Sequence, residues 1–276
     1  MSAFDPGTWR MILSEPLSGP ANMARDEAIL ESVGAEQEPP TLRLYAWQPP
    51  CLSLGYAQPV GDVDHEALTK AGWDLVRRPT GGRAILHTDE LTYAVIAPAD
   101  HPDLRGGVLE SYRRLSQGLI AALKALGLQV DPVRADPLHG EERENPVCFE
   151  APSAYEITVD GLKLIGSAQV RRRDGILQHG SLPLGGDLSR ICVALRYDSA
   201  PVRAAARVRV LERAGTLERL LERPVRWSEA AQALQAGFQQ ALGWKFEKAE
   251  LSQPERMRSD AIEIERYRNP DWTERV

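Results

Sequence analysis

Residues 155–183 read YEITVDGLKLIGSAQVRRRDGILQHGSLP. Asp160-Gly161 stands between two strand-like runs, Tyr155–Val159 and Leu162–Gln169. An Asp-Gly pair in that setting is the strongest short hairpin signal, because a two-residue turn of the right hand needs positive φ at both centres. A second pair, Asp174-Gly175, turns the chain back into Ile176–Pro183. The stretch is therefore expected to fold as a three-stranded meander.

The pattern upstream mixes helix and strand. Asn22–Val33 reads as a helix with Met23, Leu30 and Val33 on one side and Gly34 as its stop. Thr41–Trp47 alternates, with Leu42, Leu44 and Ala46 facing one way and Arg43, Tyr45 and Trp47 the other. Cys51–Leu54, Trp73–Arg78 and Leu91–Ala97 are further strands; Asp64–Ala71 and Val108–Leu126 are helices closed by Gly72 and Gly127. Asp136–Asn145 is polar and expected as an exposed loop. Downstream the chain is mainly helical: Ser228–Leu242 is the clearest case, and Ser252 through Glu255 forms a capping box for a last helix, Glu255–Tyr267. The expected class is α+β, with mixed sheets flanked by helices: a catalytic domain over residues 1–245 and a helical C-terminal extension over 246–276.

Composition narrows the function. The 276 residues carry 33 basic and 39 acidic side chains, a net charge of −6, with 43% hydrophobic residues. That is ordinary globular usage and argues against a general nucleic-acid binder. The longest apolar runs, such as Leu119–Leu123 and Ile191–Leu195, hold five residues, whereas a membrane span needs about 20. Asp5, Pro6 and Gly7 lie where a secretory signal would be apolar, so a soluble cytoplasmic protein without a membrane partner is expected. Three scattered cysteines (Cys51, Cys148, Cys192) and five scattered histidines offer neither a disulfide framework nor a zinc site. Dinucleotide, P-loop and hydrolase-elbow motifs are absent from the sequence.

Two segments can carry chemistry. Arg77-Arg78-Pro79-Thr80-Gly81-Gly82-Arg83-Ala84-Ile85-Leu86-His87 joins a strand to a Gly-rich turn among arginines. Exposed backbone N–H groups and guanidinium groups suit a carboxylate, a phosphate or a thioester oxygen, but a hairpin with solvated arginines has the same composition. The second segment, Asn145 to Ser153, places Cys148 between two prolines and beside a polar loop; the hairpin and Gly166-Ser167-Ala168-Gln169 follow. Lys163 shares a strand face with Ile165 and Ser167, and a lysine turned into an apolar strand needs a partner. An ammonium group beside Cys148 would favour the nucleophilic thiolate. Against this, cysteine is often buried and inert, and lysine is usually solvated.

The other candidates have blander readings. Cys51 and Cys192 sit in apolar stretches as packing residues. His87 and His179 either line a site or are satisfied histidines. Ser167 and His179 lack the elbow of a hydrolase pair. Arg171-Arg172-Arg173 reads as a solvated tip. Arg203–Arg226 holds seven arginines against three glutamates, a local +4, which is a solvated helix face or a dock for an acidic partner.

Together the two segments resemble the cysteine-dependent octanoyltransferases of the biotin and lipoate protein ligase family. The matching stretches are Arg77–His87 with Leu91-Thr92-Tyr93, Val147–Ser153, Tyr155-Glu156-Ile157, Gly161–Gln169 and Leu177–Pro183. Asn22–Glu27 is similar to the family's N-terminal helix, and the likeness spans roughly residues 20–245. The resemblance implies an acyl transfer in two steps. Cys148 attacks an octanoyl thioester on the phosphopantetheine of acyl carrier protein; a lysine of a lipoyl domain, such as the glycine cleavage H protein, then takes the acyl group. It assigns Lys163 to holding the thiolate and stabilising the oxyanion. Gly81, Gly82, His87, Gly166, Ser167 and Gln169 fall in the implied acyl pocket, with Arg78, Thr80 and His179 as further substrate-binding positions. No metal or other cofactor is implied, because a thioester is already activated. The alternatives within the family are an ATP-dependent lipoate ligase and an amidotransferase between lipoyl domains; outside catalysis, a non-catalytic acyl-binding protein remains. Arg83, where the ligases usually have a third glycine, and Cys148 favour the transferase.

Overall fold

The computed structural model describes residues 4–130 and 156–276. The first strands are β1 (Thr8–Leu13), β2 (Thr41–Tyr45), β3 (Cys51–Leu54), β4 (Asp74–Arg77) and β5 (Ile85–His87). They are followed by β6 (Glu90–Pro98), β7 (Glu156–Val159), β8 (Leu162–Arg171), β9 (Gly175–Pro183) and β10 (Lys245–Lys248). Seven of them form one mixed sheet in the order β10-β1-β2-β6-β9-β8-β7, and a smaller sheet runs β4-β3-β5. β7, β8 and β9 are the antiparallel meander expected from the two Asp-Gly pairs. Asp160 and Gly161 take φ of 51° and 75°, as the tight turn requires.

The helices are α1 (Gly19–Gly34), α2 (His65–Ala71), α3 (Val108–Ala125), α4 (Ile191–Ala194) and α5 (Ala200–Arg213), then α6 (Leu217–Leu221), α7 (Trp227–Leu242), α8 (Gln253–Ile262) and α9 (Pro270–Thr273). Strand periodicity decides which helix each residue meets. On β6, Leu91, Tyr93, Val95 and Ala97 enter the core under α3 and α7, packing with Leu119 and Phe238. Ala94 and Ile96 enter the core under α1, with Met23, Ile29 and Val33. Fully burying such a side chain stabilises by about 1.5–3 kcal/mol before entropy is counted. Among the described residues no helix is long and apolar enough to cross a membrane.

β2 follows the alternation its sequence predicts, with one consequence hydropathy alone does not show. Leu42 and Leu44 join the α3/α7 core, while Arg43 points at α1 and is fully buried. Its guanidinium donates to Asp26 at 2.7 Å, to the Asn22 side chain at 2.7 Å and to Ser14 at 2.9 Å. Burial penalises the Asp26 charge, but the Arg43 charge and bonds from His179 and Arg43 hold its carboxyl below the ordinary value.

The chain's last elements bind two parts of the fold together. β10 adds a parallel edge beside β1. Ser252 and Glu255 form the capping box, so the helix starts at Gln253 rather than at Glu255, and beyond Ile262 it widens into a π-turn over Glu263–Tyr267. Glu255 also accepts from Arg10 and Ser32, both at 2.6 Å. Further on, Trp272 donates to the Arg77 carbonyl at 2.8 Å and Arg77 donates to the Thr273 carbonyl at 2.9 Å. Arg77 is thus a structural clamp, not a solvated turn arginine.

The Arg171–Arg173 tip also departs from expectation. Arg171 donates to Gln169 at 2.9 Å and to the Leu104 carbonyl at 3.0 Å, and Arg172 donates to Glu27 at 2.5 Å. Arg173 alone of the three is solvated, its side chain 95% exposed. The β8–β9 turn lies against α1 and the chain entering α3, where carbonyls and Glu27 capture the first two. In the Arg203–Arg226 stretch, Arg207 pairs with Asp187 at 3.5 Å and Arg223 with Glu229 at 2.6 Å. α5 buries only Ala206 and Val210, which matches the solvated-face reading.

Candidate active site

Where β3 and β5 of the small sheet face β8 and β9 of the large one, a narrow cavity leaves about 40 Å³ of room, well below the roughly 300–1,000 Å³ of small-molecule pockets. Arg78, Gly82, His87, Gly166, Ser167 and His179 line it, so six of the positions singled out by sequence meet in one place. Met23, Tyr45, Trp47 and Ile85 supply apolar wall. Gly180 keeps one side open: a Cβ there would stand 2.6 Å from the Tyr93 ring and 2.8 Å from the Ser167 hydroxyl. Gly81 and Gln169 line an adjoining groove instead, and Gly82 lines both spaces.

Two buried polar frames hold the cavity. In the first, Glu90 accepts from His87 at 2.7 Å and from Thr92 and Ser181, both at 2.5 Å. Burial opposes the Glu90 charge, yet the neighbouring His87 and these bonds hold its carboxyl below the usual range. The other His87 ring nitrogen meets Ser53 at 2.8 Å, and the ring stacks on Trp47 at 3.9 Å. Trp47 in turn donates to Thr92 at 2.8 Å.

The second frame runs from α1 to the Gly-rich turn. His179 Nδ1 lies 3.5 Å from Asp26 and Nε2 lies 2.7 Å from the Thr80 hydroxyl. A carboxylate only accepts, so the neutral ring carries its proton on Nδ1 and Nε2 accepts from Thr80. Arg78 completes the support by donating to the Gly81 and Arg83 carbonyls, both at 2.8 Å. Gly82 sits at φ 92°, and a Cβ there would approach Arg78 Nη2 to 2.8 Å, so this turn position requires glycine. The turn is therefore a rigid backbone loop with its polar anchors behind it.

Burial pushes the His179 pKa down, and the bond and charge of Asp26 only partly oppose it. A histidine kept neutral in the fold but free to protonate when unfolded binds fewer protons in the native state. Stability is then complete above about pH 6.5, the unfolded value, and falls as pH drops through the folded value. Urea midpoints measured at pH 7.5 and 5.5 are expected to show the loss at pH 5.5. A midpoint that does not move would contradict the neutral-ring assignment.

Lys163 is buried, 4% exposed, on β8 three residues before Gly166. Its carbonyl accepts from Gly215, which ties this end of β8 to the chain after α5. Lys163 is not among the residues lining the cavity or the groove. Cys148 and the whole of the Asn145–Ser153 segment lie outside the described residues, as do the Asp136–Asn145 loop and Tyr155. Ser167 and His179 do not bond to each other: the Ser167 hydroxyl pairs with Tyr93 at 2.6 Å, and the His179 nitrogens face Thr80 and Asp26. A serine–histidine hydrolase pair is therefore not built here. Burial raises the Tyr93 phenol to about 12, so it stays a proton donor.

Sequence reasoning passed over Asp26, Arg43, Ser53 and Glu90, which carry both frames. A signal existed for one of them. Asp26 lies three positions after Met23 and four before Leu30, on the face already read as apolar. A carboxylate on a buried face needs a partner, and β2 offers Arg43 on its inward side.

Comparison with known proteins gives consistent results. The family model described as the lipoyl protein ligase A/B catalytic domain matches residues 18–239. Octanoyltransferase LipM of Kyrpidia tusciae is 42% identical over 273 residues, 97% of this chain and 99% of that protein. Octanoyltransferase LipM of Bacillus subtilis is 39% identical over 272 residues, 96% of this chain and 97% of that protein. Among solved structures, lipoate-protein ligase A bound with ATP superposes with a TM-score of 0.80 at 24% identity, covering 97% of this chain and 98% of that one. The bipartite lipoate protein ligase of Thermoplasma acidophilum gives a TM-score of 0.81 at 23% identity, covering 97% of this chain and 96% of that one. At such identities these two speak to the fold alone.

Proposed function

The chain belongs to the lipoyl protein ligase A/B catalytic-domain family and is an octanoyltransferase of protein lipoylation, and we propose that it moves the octanoyl group through a thioester on Cys148. The supporting observation is 42% identity to an octanoyltransferase over nearly the full length, combined with a narrow cavity at which six of the anticipated binding residues meet. Its wall is apolar, and its histidines are already committed to Glu90, Ser53, Thr80 and Asp26. The apolar lining suits an aliphatic chain, for which the space must widen.

In the proposed reaction the Cys148 thiolate attacks the carbonyl of an octanoyl thioester on acyl carrier protein. The bond from carbon to the carrier sulfur breaks, and the carrier leaves as a thiol after taking up a proton. A lysine amine on a lipoyl domain, that of the glycine cleavage H protein among them, then attacks the Cys148 thioester. The amide forms, the amine proton departs and Cys148 returns as a thiolate. A thioester stores the free energy that an amide needs, so no nucleotide enters the sequence. Lys163 is assigned to stabilising the thiolate and the oxyanion, in keeping with its burial on the strand that leads to Gly166. Arg78, Thr80, Gly81, Gly82, His87, Gly166, Ser167, Gln169 and His179 are assigned to binding the acyl thioester.

The test of the function is octanoylation of a purified lipoyl domain from octanoyl-acyl carrier protein without ATP. Modification under those conditions is expected, and strict dependence on ATP with free octanoate would refute the reading. For Lys163, the Lys163→Ala variant is expected to lose about 10²–10³-fold in kcat/KM, the size of removing one oxyanion donor. Its Cys148 alkylation profile should also shift to higher pH. An unmoved profile would deny Lys163 its role on the thiol.

A further inference from the structure

The groove beside the acyl cavity is lined by Arg83, Arg171, Arg172 and Arg266, and none of its described lining residues is acidic. Beneath it, Glu27 takes up two of these charges, pairing with Arg172 at 2.5 Å and with Arg266. The local balance is 4 − 1 = +3. Arg83 and Arg171 have no carboxylate partner among the described residues. A concave surface holding this excess selects anions.

Two of the guanidinium groups are well placed for that work. Arg171 is oriented by Gln169 at 2.9 Å and the Leu104 carbonyl at 3.0 Å. Burial lowers its pKa, and the nearby Arg114 charge adds to that. Arg83 extends from the Gly-rich turn, and its own carbonyl is fixed by Arg78 at 2.8 Å. The surface at Gly81, which lines the same groove, is open, with no described atom within 4 Å of where a Cβ would stand. Gly82 lines the groove and the acyl cavity alike, so a ligand with its acyl end inside can continue along the arginines.

We propose that this groove binds the phosphodiester of the donor's phosphopantetheine arm, with Arg83 as the principal contact and Arg171 beside it. The proposal rests on the carrier-protein donor inferred above and adds the place where its arm is held. A guanidinium fork matches two phosphate oxygens, and the diester is the fixed negative charge on an otherwise neutral arm. Arg83 would thus read the carrier arm, leaving the acyl chain to the cavity.

The experiment compares octanoyl-phosphopantetheine with octanoyl-pantetheine, which lacks the phosphate, as donors for acyl-enzyme formation. The wild-type protein should prefer the phosphorylated donor in kcat/KM. Arg83→Ala should shrink that preference by about tenfold or more, as expected for one charged hydrogen-bonding contact, and Arg83→Lys should restore part of it. An unchanged preference, or an equal loss on both donors, would overturn the proposal while leaving the acyl-transfer reading intact. Acyl-enzyme from neither donor would overturn both. ATP-driven use of free octanoate that is lost in Arg83→Ala would overturn the proposal in favour of a nucleotide phosphate.

Discussion

Cys148→Ala is expected to lower octanoyl transfer by at least about 10³-fold, because the acyl group then has no nucleophile to carry it. Cooperative urea unfolding should persist, which separates loss of chemistry from loss of fold. Neither remaining cysteine can substitute. Cys51 and Cys192 are both fully buried. Burial, aided by the Asp74 and Glu90 charges, raises the Cys51 thiol well above its ordinary value, so it stays protonated and unreactive. Alkylation of the native protein should therefore mark Cys148 alone. Retained transfer in Cys148→Ala would end the covalent mechanism, whatever else the cavity binds.

The largest effect on stability is expected from Arg43→Met. Arg43 and Asp26 have side chains with no solvent exposure and meet at 2.7 Å. Removing the cation leaves a buried carboxylate with bonds from Tyr45 at 2.9 Å and from His179 at 3.5 Å. Breaking one side of a buried pair costs about 3–5 kcal/mol, whereas removing both partners costs much less. Arg43→Met should thus lower the urea midpoint sharply, and Asp26→Leu combined with Arg43→Met should recover part of the loss. A single-variant cost below about 1 kcal/mol would show that the pair is not the anchor described. Because Asp26 also faces His179, which receives the Thr80 hydroxyl, the damage should extend to the Gly-rich turn and raise KM for the donor.

Local signals read well from sequence where they were self-contained. The Asp160-Gly161 turn, the β2 alternation and the Ser252 capping box each depend on a few adjacent residues, and each stands as expected apart from its boundaries. Strands whose partners lie far away were not visible. β1 pairs in parallel with β10, more than 230 positions on, and no turn residue announces such a pairing. β5 has three residues and shows no period. Of the site, residue types were legible: Arg78, Gly82, His87, Gly166, Ser167 and His179, singled out by sequence, line one cavity. Its supporting frame was not, because a partner such as Arg43 for Asp26 is set by which helix crosses which strand. The arginines show the same limit: Arg77 and Arg171 looked solvated, and tertiary carbonyls claimed both.

The covalent step is tested most directly by the intact mass of the protein after mixing with octanoyl-acyl carrier protein in the absence of ATP. The expected result is a gain of one octanoyl group, absent in Cys148→Ala and released by hydroxylamine or by an acceptor lipoyl domain. No gain under these conditions, with ATP and free lipoate modifying the acceptor instead, would contradict the acyl-enzyme and make Cys148 a bystander.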